Sequence, residues 1–154
     1  MKLLERKILA FVRSIDPSIS VIFHDGNMES EAETKRIYIN TSEFLYIYDD
    51  EPDHIHIMKE NGLIIDILLP TYILLHEIGH VKMRQTYKNP KVLDRRYAFN
   101  VNRIVQQHEG LERLRLYKKL KLERDADRYA YDYYLHNYPK VKAFDNHVRH
   151  ILET

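Results

Sequence analysis

The sequence contains no cysteine and no tryptophan, and only four of its 154 residues are glycine. Without cysteine the chain cannot form a disulfide, a cysteine-based zinc site or a thiol nucleophile. The absence of disulfides is typical of a reducing compartment, and we expect a cytoplasmic protein. The small number of glycines gives little indication of a flexible lid.

Long apolar stretches are also missing. The longest, residues 63–75, is interrupted by Asp66, Pro70 and Thr71, so we expect no membrane span. The first seven residues carry charges throughout and lack the apolar core of a signal peptide. Because 44% of the chain is hydrophobic and no repeat or Gly/Ser linker divides it, we expect one domain over residues 1–154.

The net charge is only +1, but it is unevenly distributed. Residues 1–81 carry 7 basic and 14 acidic side chains, whereas residues 82–142 carry 16 basic and 7 acidic ones. A basic half can bind nucleic acid, but on helices it is more often a solvated face that pairs with acidic surfaces. A nucleic-acid partner is therefore the less favoured alternative.

Hydrophobic spacing and turn residues predict a helix-rich α+β fold. The helices are predicted at residues 2–13, 70–87, 92–108, 111–138 and 141–152. The strands are predicted at residues 18–24, 36–40, 54–58 and 63–65, the last two joined by a hairpin turn at Asn61-Gly62. The acidic segments 29–33 and 49–53 are predicted to be exposed loops. We expect a small antiparallel sheet packed on helix 70–87, followed by a helical C-terminal half.

Residues 72–81 contain the pattern H-E-x-x-H within an apolar helical sequence. His76 and His80 are one helical turn apart on one face, so their imidazoles can bind the same metal ion. Glu77 lies beside them, where its carboxylate can accept a proton from water at an open position on zinc. The pattern is typical of metal-dependent peptide hydrolysis. The alternative is that they are two surface histidines on an ordinary helix. A third ligand elsewhere in the chain makes that interpretation less favoured.

The third ligand is expected further along the chain. Glu123 and Asp127 lie four residues apart on one helix face, so Glu123 can bind the metal while Asp127 accepts a hydrogen bond from a ligating histidine. Small residues at Gly79, Ala126 and Ala130 favour close packing of the two helices. A charged helix face that pairs with neighbouring arginines is the alternative, and the upstream H-E-x-x-H disfavours it.

The two motifs together resemble those of the gluzincin metallopeptidases, H-E-x-G-H followed by E-x-E-A-[DN]-x-[FY]-A. The matching residues are His76, Glu77, Gly79, His80, Glu123, Ala126, Asp127, Tyr129 and Ala130. Among gluzincins, a chain of this size is most similar to the ImmA/IrrE family of bacteria, mobile elements and phages. The sequence departs from the family at Asp125, where a glutamate is usual, and in the long spacing between the motifs, which the helix predicted at 92–108 would fill.

This resemblance implies a zincin-like fold with one zinc ion bound by His76, His80 and Glu123. It also implies that Glu77 is the catalytic base and that Asp127 orients a ligating histidine. The substrates of the family are regulatory proteins, often helix-turn-helix repressors, so a transcriptional regulator is the expected protein partner. Substrates of zincins often bind as an added strand at a sheet edge, for which residues 36–40 and 54–58 are candidates.

Two alternatives from other classes stay open. A DNA-associated SprT-like protease would use a histidine as its third ligand, and His108 would then replace Glu123. A non-catalytic protein would use zinc only as a structural clip while binding a partner.

Peptide hydrolysis also needs a donor that stabilises the oxyanion. Tyr131 and Tyr134 continue the helix face of Glu123 and Asp127, and His108 lies on the preceding helix, so these three are candidates. Tyrosines at helical spacing are, however, more often part of the core.

Overall fold

The computed structural model describes residues 2–46 and 51–153. Its helices are α1 (Leu3–Ile15), α2 (Thr41–Tyr46), α3 (Glu51–Glu60), α4 (Leu69–Arg84), α5 (Pro90–Gln107), α6 (Gly110–Lys118), α7 (Lys121–His136) and α8 (Tyr138–Glu153). Its strands are β1 (Ser20–Phe23), β2 (Glu29–Glu31) and β3 (Arg36–Ile39), with a 3₁₀ turn, Ala32–Thr34, before β3. The fold is thus mostly helical with one small sheet, which agrees with the expected α+β class.

The sheet is mixed, so the predicted antiparallel arrangement is wrong. Its strand order is β1-β3-β2, in which β1 runs parallel to β3 and β2 runs antiparallel to it. The segment 29–33, predicted to be a loop, supplies the edge strand β2, where exposed carboxylates at Glu29 and Glu31 are tolerated. Strand β3 is therefore central, with β2 on one side and β1 on the other. The chain passes through β2 between β1 and β3, and it enters β3 in the same direction as β1.

The predicted hairpin at residues 54–65 is also wrong. Residues 54–58 belong to helix α3, where Ile57 and Met58 are buried, and residues 63–65 form no strand. The Asn61-Gly62 pair ends α3 instead of turning a hairpin, since Gly62 adopts a left-handed φ of 77° and the Leu63 N–H bonds back to the Met58 carbonyl. Of the acidic segment 49–53, residues 49 and 50 lie outside the described residues and 51–53 begin α3.

The helix predicted over residues 111–138 is two helices, α6 and α7, and α8 begins at the last residue of that range. A turn at Lys119 and Leu120 separates α6 from α7, and a break at Asn137 separates α7 from α8. Pro139 does not end a helix, since it lies in the first turn of α8, where a missing N–H costs nothing. None of the helices in the described ranges is long and apolar enough to cross a membrane.

Helix α4 lies at the centre of the fold. It is apolar on nearly every side, contacting the sheet, α7 and α8, and it contributes ten buried residues. Its N-terminus has no side-chain cap of its own. The wholly buried Asp145 of α8 takes that role, since its carboxylate accepts the Leu68 N–H at 2.9 Å and the Thr71 hydroxyl at 2.7 Å. A carboxylate at this end of a helix also complements the helix dipole.

Helices α4 and α7 are in close contact at Gly79. A Cβ atom at this position would lie 2.7 Å from the Ala126 carbonyl oxygen and 3.1 Å from the Ala126 Cα atom. Both are backbone atoms, so a change of side-chain rotamer cannot relieve the clash. Ala126 and Ala130 are wholly buried, which confirms the close packing that the small residues predicted.

We therefore expect Gly79→Ala to destabilise the protein, although alanine is the better helix former. The added methyl group must separate α4 from α7, at a cost of about 1–3 kcal/mol for overpacking, against a gain of about 1 kcal/mol in helix propensity. Urea unfolding would measure the net loss. Arg95→Ala, at an exposed position of α5, should change stability by less than about 0.5 kcal/mol. Equal stability of the two variants would contradict the packing argument.

Candidate metal centre

His76, His80 and Glu123 meet between α4 and α7. One potential ligand atom from each residue lies within 4.8 Å of the other two, so the group can hold a metal ion. The Glu123 carboxylate reaches both histidines, at 3.1 Å from His76 Nε2 and 2.7 Å from His80 Nε2. The predicted ligand set is therefore brought together by the fold.

Asp127 and Tyr72 fix the orientation of His76. Asp127 Oδ1 lies 2.8 Å from His76 Nδ1, and the Tyr72 hydroxyl donates to the same carboxylate oxygen at 3.0 Å. Because the Nδ1 atom of His76 is hydrogen-bonded to Asp127, the Nε2 atom of His76 faces Glu123. This is the placement predicted for Asp127, and the bond from Tyr72, one turn before His76 in α4, was not foreseen.

The buried charges of the site compensate one another. Burial opposes the charged form of His76, but the hydrogen bonds to Asp127 and Glu123 outweigh it and raise the pKa of His76 to about 9. Burial would likewise raise the pKa of Glu123, yet the hydrogen bonds to His76 and His80 hold it well below its ordinary value. Both nitrogens of His76 face carboxylates, so the metal-free site carries an imidazolium at neutral pH.

Lys118 adds a further cation. Its side chain is only 13% exposed, and its Nζ atom lies 3.8 Å from Glu123 Oε1 and 3.7 Å from Asp127 Oδ2. Burial opposes ionisation of Asp127, but Lys118 and the bond to His76 keep the pKa of that carboxyl below its ordinary value. Lys118 ends helix α6 and has no motif around it that would have indicated this role.

A cleft of about 520 Å³ opens beside the metal-binding group. Glu77 and His80 lie on one wall, and the edge strand β2 lies on another. Glu77 is half-buried, and no hydrogen bond from the described residues occupies its carboxylate. A proton acceptor therefore lines the same cleft as one of the candidate metal ligands, His80.

Two tyrosines complete this wall of the cleft. The Tyr97 hydroxyl is 3.2 Å from Glu123 Oε2 and 2.8 Å from the Tyr117 hydroxyl. Burial and the Glu123 carboxylate raise the pKa of both phenols above the ordinary value, so each remains a neutral donor. Tyr97 lies on α5 and belongs to neither motif, so only the tertiary structure brings it to Glu123.

The three oxyanion donors proposed from the sequence lie elsewhere. Tyr134 is bound to Asp66, and Tyr131 lines a separate pocket on the other side of Asp127. His108 follows the last residue of α5 and is not part of the metal-binding group found among residues 2–46 and 51–153. The geometry thus favours Glu123 over His108 as the third ligand.

The donor set suits a metal ion. Two imidazole nitrogens and one carboxylate are ligands that zinc accepts, and a site with three protein ligands leaves a position for water. The bond between Asp127 and His76 is the kind that orients a ligating histidine.

Comparison of the chain with protein-family models, with curated proteins and with solved structures gives no match. The resemblance to gluzincins therefore depends on the two sequence motifs alone.

We expect the purified protein to bind one zinc ion per chain and Glu123→Ala to lose most of it. The substitution removes one of three ligands and leaves the His76 and His80 nitrogens without their shared partner. Elemental analysis after dialysis would measure the metal content. Glu109→Ala is a matched control, because Glu109 is exposed and makes no capping bond at the start of α6. Equal zinc in the two variants would rule out Glu123 as a ligand.

Zinc binding should release about one proton per ion at pH 7. In the metal-free protein the pKa of His76 is about 9, so its imidazole is protonated and must lose the Nε2 proton to bind a metal. The apparent zinc affinity should therefore rise with pH and level off above about pH 9. Calorimetric titrations in buffers of different ionisation enthalpy would count the proton. If no proton is released when zinc binds at pH 7, His76 is neutral before binding and the prediction is wrong.

Proposed function

We propose that this protein is a zinc-dependent metalloendopeptidase with a zincin-like fold. The observation that carries the proposal is that His80, a member of the group with His76 and Glu123, lines the same cleft as the Glu77 carboxylate. A structural zinc site is normally closed by four protein ligands, whereas three ligands beside an accessible carboxylate suit hydrolysis. The same observation argues against a purely structural clip.

The residues of this chain have separate tasks in the reaction. When bound, zinc would supply Lewis acidity to water and to the peptide carbonyl. Glu77 accepts the proton of the attacking water and returns it to the leaving amine nitrogen. His76, held by Asp127, keeps one orientation throughout, so little reorganisation is needed at the site.

The tyrosine pair is the best candidate for oxyanion stabilisation. Tyr97 and Tyr117 line the same cleft as Glu77, and both hydroxyls remain protonated at neutral pH. The two hydroxyls share a hydrogen bond in which either can be the donor. One hydroxyl can therefore stay hydrogen-bonded to Glu123 while the other donates to the substrate. A preorganised donor of this kind typically contributes about 10²–10³ to the rate.

The substrate is a protein segment bound in extended form. Strand β2 lies at the edge of the sheet and lines the cleft with residues 28–33, so it can pair with an added strand. The earlier candidates cannot serve, since residues 36–39 form the central strand and 54–58 are helical. By the resemblance of the motifs, we propose a regulatory protein such as a repressor as the natural substrate.

The decisive test is peptide cleavage by Glu77→Gln. The zinc-loaded protein would be incubated with a library of peptides from digested bacterial protein, and new termini would be identified by mass spectrometry. We expect wild type to cleave and Glu77→Gln to be slower by at least about 10²-fold, because the proton acceptor is lost. Its zinc content should be unchanged, since Glu77 is not a ligand in the group.

Glu109→Gln is the matched control, because Glu109 is an exposed carboxylate that does not line the cleft. It should retain its cleavage rate, whereas Tyr97→Phe and Tyr117→Phe should slow cleavage and keep zinc. Failure of the zinc-loaded wild type to cleave any peptide, or equal rates for wild type and Glu77→Gln, would contradict the proposal and favour a non-catalytic role.

A further inference from the structure

A second pocket, of about 340 Å³, lies on the far side of Asp127 from the metal ligands. It is formed by one face of α7, by the turn between α6 and α7 and by the chain just after α3. Arg124, Asp127, Arg128 and Tyr131 line it at positions i, i+3, i+4 and i+7 of α7, which share one face of a helix. This is the region to which the sequence had assigned an oxyanion donor.

The charge of this pocket is mainly positive. Four cationic side chains line it, namely Lys118, Lys119, Arg124 and Arg128, against two carboxylates, Asp127 and Asp132. The Asp127 carboxylate is already bonded to His76 and Tyr72. Lys119, Arg124 and Arg128 make no salt bridge with any residue in the described ranges. The pocket therefore has more cationic than acidic side chains, and the cations repel one another.

The remaining wall has a different chemistry. Leu63 and the half-buried ring of Tyr131 contribute apolar surface, and Asn61 contributes an amide. Guanidinium groups match the geometry of phosphate oxygens, and binding pockets for small organic molecules start at about 300 Å³. Cations beside an apolar wall suit a phosphate group attached to an organic part.

We propose that this pocket binds a small phosphorylated ligand such as a nucleotide, and that Lys118 couples it to the metal centre. Lys118 lines the pocket and also lies near Glu123 and Asp127. In the metal-free protein these two carboxylates hold its ammonium group. A divalent metal on Glu123 would repel that group and leave it available to the phosphate. Zinc therefore tightens phosphate binding, and by linkage the phosphate tightens zinc binding by the same factor.

The direct test is calorimetric titration of the metal-free protein with AMP and with pyrophosphate. We expect saturable binding of both, and at least a tenfold loss of affinity in the double variant Arg124→Gln/Arg128→Gln, since the variant loses two charged hydrogen-bond donors to the phosphate. Both arginines are exposed, so the variant should fold. The control Arg95→Gln/Arg96→Gln removes the same charge from exposed positions of α5 and should bind as wild type does.

Equal losses in the two double variants would show only general attraction to a basic surface and would overturn the proposal. A short single-stranded oligodeoxynucleotide serves as a further arm. If it alone binds, the pocket belongs to a nucleic-acid surface, and the small-ligand proposal is wrong. Absence of saturable binding by AMP and by pyrophosphate would also overturn it.

The coupling is tested by repeating the AMP titration with zinc-loaded protein. Affinity should increase in wild type, and Lys118→Met should remove the difference between the zinc-loaded and metal-free forms. Direct binding of the phosphate to zinc would instead leave the affinity of zinc-loaded Arg124→Gln/Arg128→Gln equal to that of wild type, which would contradict the assignment. None of these measurements depends on peptidase activity, so a failure here is distinguishable from failure of the proposed function.

Discussion

The close contact between Gly79 and the Ala126 backbone determines where the candidate metal ligands can meet. His76 and His80 lie on α4 and Glu123 lies on α7, so the distance between these helices sets the distance between their ligand atoms. Gly79 lies between the two histidines, and Ala126 lies between Glu123 and Asp127. A close point of the helix contact is thus at the level of the site, and packing rather than flexible side chains brings the ligands into range.

The same contact places several charges in a region of low dielectric constant, where each needs a partner. His76 lies between Glu123 and Asp127, Glu123 lies between His76 and His80, and Lys118 approaches both carboxylates. Removal of one member leaves others buried without compensation, which costs more than the lost bond itself. The metal-free protein therefore already holds the ligands in one arrangement, with a proton where a metal ion would bind.

The sequence predicted the elements whose signals are local. The H-E-x-x-H helix, the partner motif at Glu123 and the small residues at Gly79 and Ala126 follow from helical spacing alone. The sheet was harder to predict. Polar and apolar residues alternate over 54–58 as they would in a strand, but Ile57 and Met58 lie on the buried side of a helix. Asn61-Gly62 is ambiguous in the same way, since a left-handed glycine both closes hairpins and ends helices.

Residues that support the site from other elements have no local signal. Tyr97, Tyr117 and Lys118 reach Glu123 from α5 and α6, and their roles depend on how those helices pack on α7. Asp145 acts from α8 on the start of α4, far away in sequence. The two motifs contain the candidate ligand atoms, because in this chain those atoms lie on only two helices, α4 and α7. The groups that orient them, neutralise them and face the substrate can come from anywhere in the chain, so a tertiary structure is needed to find them.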